Sequence, residues 1–369
     1  MSLIMKFKPL KPTLLLDRER ARRNIERMAN KAQRSGVRFR PHFKTHQSAA
    51  VGEWFRPFGV EAITVSSVEM ATYFAQHGWA DITIAFPVNI LEIEAINTLA
   101  GQIKLGLLVE SEETTRFLTD HLTAPVDVWL KVDVGYGRTG IAWSNLDKLA
   151  AIAGQLQTDP KVTLKGLLTH AGHTYRARSI AEIETIYGEM VSRMQAAREH
   201  LVKMGLGPLE LSIGDTPSCS VVNDLSAVDE IRPGNFVFYD AMQLEIGACR
   251  EADIAVAVAC PVVAMHSERR QMVIYGGAVH LSKEFITVAG QPVFGYVARL
   301  EADGWGHRSE HTWVSALSQE HGIITVGDDT ITQTKVGDVL AILPVHSCLA
   351  VSALRRYQAL TGEIIQCMP

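Results

Sequence analysis

Five short patches in this 369-residue chain gather side chains able to do chemistry. The first is Arg40-Pro41-His42-Phe43-Lys44-Thr45-His46, where Lys44 sits at the end of an apolar run between two histidines and a phenyl ring. A lysine partly desolvated among other cations has a depressed pKa and becomes a neutral amine nucleophile. Without such neighbours it would be an ordinary solvated lysine. The second and third patches are Lys131-Val132-Asp133-Val134-Gly135-Tyr136-Gly137-Arg138-Thr139-Gly140 and Thr169-His170-Ala171-Gly172-His173-Thr174-Tyr175. The fourth, Ile213-Gly214-Asp215-Thr216-Pro217-Ser218, follows an apolar run and offers backbone N–H groups and hydroxyls. That suits a phosphate seat, and it equally suits a Ser/Thr-capped helix start. Within the fifth, Arg232-Pro233-Gly234-Asn235-Phe236-Val237-Phe238-Tyr239-Asp240, the pair Gly234 and Asn235 reads as a second backbone-donating turn or a plain type II turn.

A sixth feature stands apart. His346-Ser347-Cys348 follows an apolar run and a proline. In an extended chain, residues i and i+2 point the same way, so His346 and Cys348 would meet one metal ion. Imidazole with thiolate suits zinc better than magnesium or calcium. Two protein ligands leave coordination positions open; the alternative is a buried histidine and a buried cysteine.

The elements that must carry these patches alternate. Strands are expected over 13–16, 37–40, 62–65, 81–85, 103–109, 126–132, 162–169, 210–213 and 229–231, with helical spacing between most of them, as over 18–33, 68–77, 90–99 and 181–204. Ser66 and Glu69 fit the spacing of a capping box. Repeated strand–helix alternation implies a parallel sheet, and eight or so units imply a (β/α)8 TIM-type barrel, whose functional groups collect at the carboxyl ends of its strands. An open doubly wound sheet is the competing architecture, and no Gly-x-Gly-x-x-Gly follows the first strand to support it. Beyond about Leu244 short strand-like runs at 255–260, 271–275, 292–297, 323–326 and 339–343 are divided by Gly, Asp and His turns, with no strong helix. The expected division is therefore an α/β barrel over 13–244, and a mostly β domain formed by 1–12 with 245–369.

Composition fits this picture. Apolar residues make up 47% and charged residues 21% of the chain, a globular balance, and the formal charge of −4 gives no reason to expect nucleic acid or an anionic membrane as partner. No apolar run approaches the ~20 residues of a membrane helix. The Leu14-Leu15-Leu16 run is too short for a secretory core, and Met1-Ser2-Leu3-Ile4-Met5, with its second methionine, reads as an added leader. Five scattered cysteines, an odd number, argue against a disulfide framework and for a reducing, cytoplasmic setting.

Taken in order, these patches resemble the fold-type III pyridoxal-phosphate enzymes, and most closely their D-serine dehydratase and D-threonine aldolase branch. The resemblance runs from Thr13 to about Ala353, and its most specific piece is the segment Arg40–His46 around Lys44. It implies that Lys44 is the Schiff-base lysine and general base. It implies too that Arg138 lies near the phenolic oxygen of the cofactor and that His173 and Tyr175 line the pocket, Tyr175 beside the pyridine ring. Gly214, Thr216, Gly234 and Asn235 would hold the phosphate. Asp215 departs from the pattern, because a carboxylate beside a phosphate is electrostatically unfavourable; it must point away, or that side of the seat uses backbone N–H groups alone. His346 and Cys348 match the branch's metal pair.

The implied activity is a metal-assisted lyase reaction on a β-hydroxy D-amino acid, with β-elimination favoured by the soft cysteine ligand. Retro-aldol cleavage of the D-threonine aldolase kind uses the same parts. Racemisation needs an acid–base group opposite Lys44, and Tyr275, Tyr296 and Tyr357 stand in no motif that supplies one. A cofactor carrier without turnover would need neither the second domain nor the His-x-Cys pair. By family analogy a homodimer is expected.

Overall fold

Apolar runs flanked by capped helices account for the barrel. In the computed structural model, which describes residues 9–369, the strand Lys104–Val109 is buried throughout from Leu105 onward, as a parallel strand covered on both faces must be. The helices Val68–Gln76, Glu112–His121, Leu146–Leu156 and Ile180–Lys203 each start on a polar cap. Ser67, Ser111, Asn145 and Ser179 accept from the backbone N–H of Met70, Thr114, Lys148 and Glu182. The cap of the first of these is thus Ser67, one residue later than the Ser66 that the Glu69 spacing suggested.

The described chain forms two compact units. One comprises Glu26–Lys44 and Gly52–Gly234; the other holds the chain up to Ile25, Thr45–Val51 and Asn235–Pro369. In the first, eight parallel strands follow one another: Ala62–Val65, Asp81–Pro87, Lys104–Val109, Val126–Asp133, Val162–Leu168, Glu210–Ile213, Glu230–Ile231 and Arg38–Phe39. The circuit is completed by a parallel bridge between His42 and Thr64, with Phe43 N–H donating to Thr64 and Thr64 N–H to Pro41, both at 2.9 Å. The TIM-type barrel expected from the alternation is present.

The second unit is built on a nine-stranded sheet in the order Gln271–Tyr275, His321–Thr325, Gly304–Leu317, Gly295–Glu301, Val339–Pro344, Val256–His266, Thr13–Leu16, Arg356–Ala359 and Ile364–Gln366. All neighbours are antiparallel except Thr13–Leu16 with Arg356–Ala359. A further pairing of Gln271–Tyr275 with Val256–His266 closes six of the strands into a ring.

Two expectations change here. Thr13–Leu16 was read as the opening of the barrel over 13–244, yet it pairs with Val256–His266 and Arg356–Ala359 in the nine-stranded sheet. A short apolar run with Leu14, Leu15 and Leu16 all buried suits the interior of either sheet, and periodicity does not name its partners. The second unit also contains a helix at Ser347–Leu354, where none was expected. The reading of Met1–Met5 as a leader falls outside the described residues.

Candidate active site

Lys44 is positioned by the residue before it. The Phe43 ring is fully buried and meets Phe55, Phe74 and Trp79, each at 5.0 Å between centroids. His42 N–H donates to Pro233 at 2.9 Å, and Lys44 N–H donates to His42 Nδ1 at 3.3 Å. The loop is therefore anchored on one side while the Lys44 side chain remains exposed.

Around the carboxyl ends of the neighbouring strands lies a group of cations and rings. Lys131 is buried, and burial first, then Arg232 and Arg138, pull its pKa down to about 7. The loop after it is folded by Asp133, whose carboxylate accepts from the N–H groups of Gly135, Tyr136 and Gly137 at 2.9–3.1 Å. Gly140 ends that loop at φ +113°, where a β-carbon would come within 2.7 Å of the Asp133 nitrogen. The Asp-x-Gly-x-Gly-Arg-x-Gly spacing is thus a loop design that presents Arg138, whose guanidinium lies 5.3 Å from the Tyr136 ring.

Tyr136 stacks on His173 at 6.2 Å and meets His170 edge-on at 6.1 Å, and His170 lies 6.0 Å from Tyr175. His170 is held neutral: burial and then the Lys44 charge push its pKa well below the ordinary value, and its Nδ1 contacts the Gly214 carbonyl. His173 is also pushed down, by burial first and then Arg193, and its Nδ1 is buried without a hydrogen-bond partner.

One oxygen of Asp215 is turned into its own loop. Its Oδ1 accepts from Ser218 N–H at 2.8 Å and from the Thr174 hydroxyl at 3.0 Å, capping the helix Thr216–Val221. The hydroxyls of Thr216 and Ser218 are buried with no partner, and the Thr216 N–H reaches the Tyr175 hydroxyl at 3.4 Å. A β-carbon on Gly214 would lie 3.0 Å from Arg232. Buried unpaired hydroxyls in a region of Lys131, Arg138 and Arg232 fit a phosphorylated ligand, since such groups are normally satisfied. Arg232 itself is tied by Nε to Ser212 Oγ and by Nη2 to the Thr169 carbonyl, both at 2.7 Å.

Gly234 is the last residue of the barrel unit, whereas Asn235, His346 and Cys348 belong to the other unit. His346 is the N-cap of Ser347–Leu354 and Cys348 lies in the first helical turn, so the pair is not the extended segment that the i, i+2 argument assumed. The two side chains nevertheless meet. Burial opposes a charge on His346, but Cys348, Glu284 and Asp240 outweigh it and raise its pKa to about 11. His346 Nδ1 is 2.7 Å from Glu284 Oε2, and Cys348 Sγ is 3.2 Å from Thr45 Oγ1. A cluster of imidazole, sulfur and carboxylates suits a cation, and the imidazole–sulfur donor set fits a soft divalent metal. Among the described residues no three His, Cys, Asp or Glu side chains converge as a metal-binding group, so His346 and Cys348 would form an open two-donor site. Asn235 directs its amide nitrogen to Asp240 at 2.6 Å and Ser347 at 3.0 Å, which leaves only its backbone for a phosphate.

Sequence reading left several neighbours without a role. His170 and Arg232 stand inside patches already singled out, so their signal was present; Lys131 was quoted only as the start of a motif. Asp240 closes the fifth patch, but Glu284 carried no signal, because only the folded chain brings it to His346.

Residues 16–241 match the family model for the alanine racemase N-terminal domain, and residues 255–360 match that for a serine dehydratase domain. D-threo-3-hydroxyaspartate dehydratase of Delftia sp. (strain HT23) is 29% identical over 95% of this chain and 94% of its own length. D-serine dehydratase of Dictyostelium discoideum is 26% identical over 95% and 93%. A cysteine-to-alanine variant of D-threo-3-hydroxyaspartate dehydratase, solved in the metal-free form, superposes with a TM-score of 0.90 at 27% identity, covering 100% of this chain and 99% of that one. The chain belongs to the alanine racemase N-terminal domain family, in the arrangement where that domain is followed by a serine dehydratase domain.

Proposed function

We propose that this protein is a pyridoxal-phosphate- and metal-dependent lyase that eliminates the β-hydroxyl of a β-hydroxy D-amino acid, as D-serine dehydratases do. The observation that carries this reading is the His346–Cys348 pair, held by Glu284 and Thr45 inside the segment that matches a serine dehydratase domain.

The cofactor, when bound, supplies an electron sink for the bond broken at the α-carbon. The metal, zinc by the softness of its sulfur donor, supplies a Lewis acid for the departing hydroxyl. Lys44 would hold the cofactor and would act as the base that takes the α-proton. Arg138 would face the cofactor's phenolic oxygen, and Tyr175 would lie beside its pyridine ring. Gly214, Thr216, Gly234 and Asn235 hold the phosphate through backbone N–H groups and the Thr216 hydroxyl. His173 serves the pocket as a neutral base, and His346 with Cys348 holds the metal. To these we add His170, a neutral ring held at Gly214 near the Lys44 charge.

The odd number and wide scatter of the five cysteines argue against a disulfide framework, so we place the enzyme in a reducing, cytoplasmic compartment. A homodimer is the assembly proposed by family analogy.

Incubation with D-serine, D-threo-3-hydroxyaspartate and D-threonine, followed by product analysis, tests this reading. A keto acid and ammonia are expected. Glycine with an aldehyde would make the enzyme an aldolase, formation of the L-enantiomer a racemase, and absence of turnover with cofactor bound a carrier.

A further inference from the structure

The segment Thr45–Val51 begins at the residue after Lys44 and belongs to the unit that carries His346 and Cys348. That unit holds it firmly. The Tyr357 hydroxyl donates to the His46 carbonyl at 2.6 Å, Gln47 Nε2 donates to Ser352 Oγ at 2.7 Å, and Met368 N–H donates to the Gln47 carbonyl at 2.5 Å. Ser48 N–H closes the turn on His46 Nδ1 at 3.2 Å, and Gln47 is kept at φ +49°, a left-handed conformation that a non-glycine residue adopts only when its surroundings impose it. Thr45 is fully buried, and its hydroxyl lies 3.2 Å from Cys348 Sγ.

A sulfur bound to a metal ion is a thiolate, which only accepts hydrogen bonds; the donor is then Thr45 Oγ1. Partners of this kind orient a ligand and set its affinity, and removing them typically costs about 10–100-fold in metal binding. Thr45 also shares a peptide bond with Lys44. Any shift of Cys348 on taking up metal is therefore passed to a residue that cannot move without moving the lysine's backbone, because the following turn is fixed by the contacts just described. We infer that Thr45 is a positioning residue that both orients Cys348 for the metal and reports metal occupancy to Lys44. This rests on the metal and Schiff-base assignments proposed above.

The test uses holoenzyme first stripped with a chelator and then titrated with zinc chloride, with a chromophoric zinc competitor reading affinity and visible absorption reading the Lys44-linked cofactor. Wild-type protein should bind one zinc per chain and shift its cofactor band as zinc is added. Thr45→Val should bind zinc about tenfold or more weakly and lose the band shift, while keeping full cofactor content. Thr45→Ser should restore both properties, and Thr45→Ala serves if the valine variant does not fold. Zinc affinity and band shift unchanged in Thr45→Val would overturn the inference while leaving the metal site standing. If wild-type zinc binding is absent, or survives in both His346→Ala and Cys348→Ala, the metal assignment itself fails and the inference with it.

Discussion

The two ends of the barrel treat charge in opposite ways. Where the strands begin, cations and carboxylates answer one another: buried Arg40 pairs with Asp81 at 2.5 Å and Glu230 at 2.8 Å, and Lys104 pairs with Asp81 at 3.1 Å. Arg38 donates to Glu210 through both terminal guanidinium nitrogens. A cavity of about 670 Å³ opens there, lined by Arg38, Arg40, Asp81, Lys104, Asp127 and Glu230, and these charges face each other. Where the strands finish, Lys131 has Arg232 and Arg138 as its strongest charged neighbours, and the hydroxyls of Thr216 and Ser218 are buried without partners. One end is satisfied by its own side chains; at the other, like charges crowd together and buried hydroxyls stand unpaired, an arrangement that suits an anionic ligand. In a barrel of this kind that contrast marks one end as structural and the other as the candidate site.

Exchanging the two roles should give the largest effects. Lys44→Ala is expected to lower turnover by at least the ~10²–10⁴-fold that a lost general base costs, while the unfolding free energy of cofactor-stripped protein changes by no more than ~0.5 kcal/mol, as for an exposed side chain. Residual activity near the wild-type level would erase the contrast. Arg40→Met should do the reverse. It leaves Glu230 buried beside an uncharged chain, so denaturant unfolding should show a loss of about 3–5 kcal/mol, with kcat per folded molecule close to unchanged. A large kcat defect with intact stability would assign Arg40 to the chemistry.

A smaller and sharper effect concerns Lys131. Its folded-state pKa of about 7 lies below the ordinary lysine value of 10.5. Below about pH 7 the amine is protonated in both states and the fold carries the full cost of burying the charge. Between about 7 and 10.5 the unfolded chain binds more protons than the folded one, so stability rises with pH. Unfolding midpoints of wild type and Lys131→Met, followed from pH 6 to 10, should therefore converge as wild type gains. Parallel curves would mean that the Lys131 charge is compensated after all.

Much of the candidate site could be read from the chain because the barrel presents its strand ends in order. Lys44, Arg138, His173, Tyr175, Gly214 and Thr216 all lie just beyond apolar runs of strand length, and strand ends are where such a barrel concentrates function. Asp215 looked anomalous only because its partners, Ser218 N–H and the Thr174 hydroxyl, are set by local folding of the loop. Thr13–Leu16 was misplaced because strand propensity is local while strand pairing is not.

The sequence by itself determined the alternation that builds the barrel, the loop chemistry of Asp133 to Gly140, and the presence of a histidine and a cysteine two residues apart. Those are short-range properties, fixed by side-chain period and turn geometry. Tertiary structure alone decided that His346 meets Glu284, that Cys348 meets Thr45, and that His170 is held neutral within reach of the Lys44 charge. Each of these depends on residues distant in the chain, brought together by pairing and packing that no local pattern encodes.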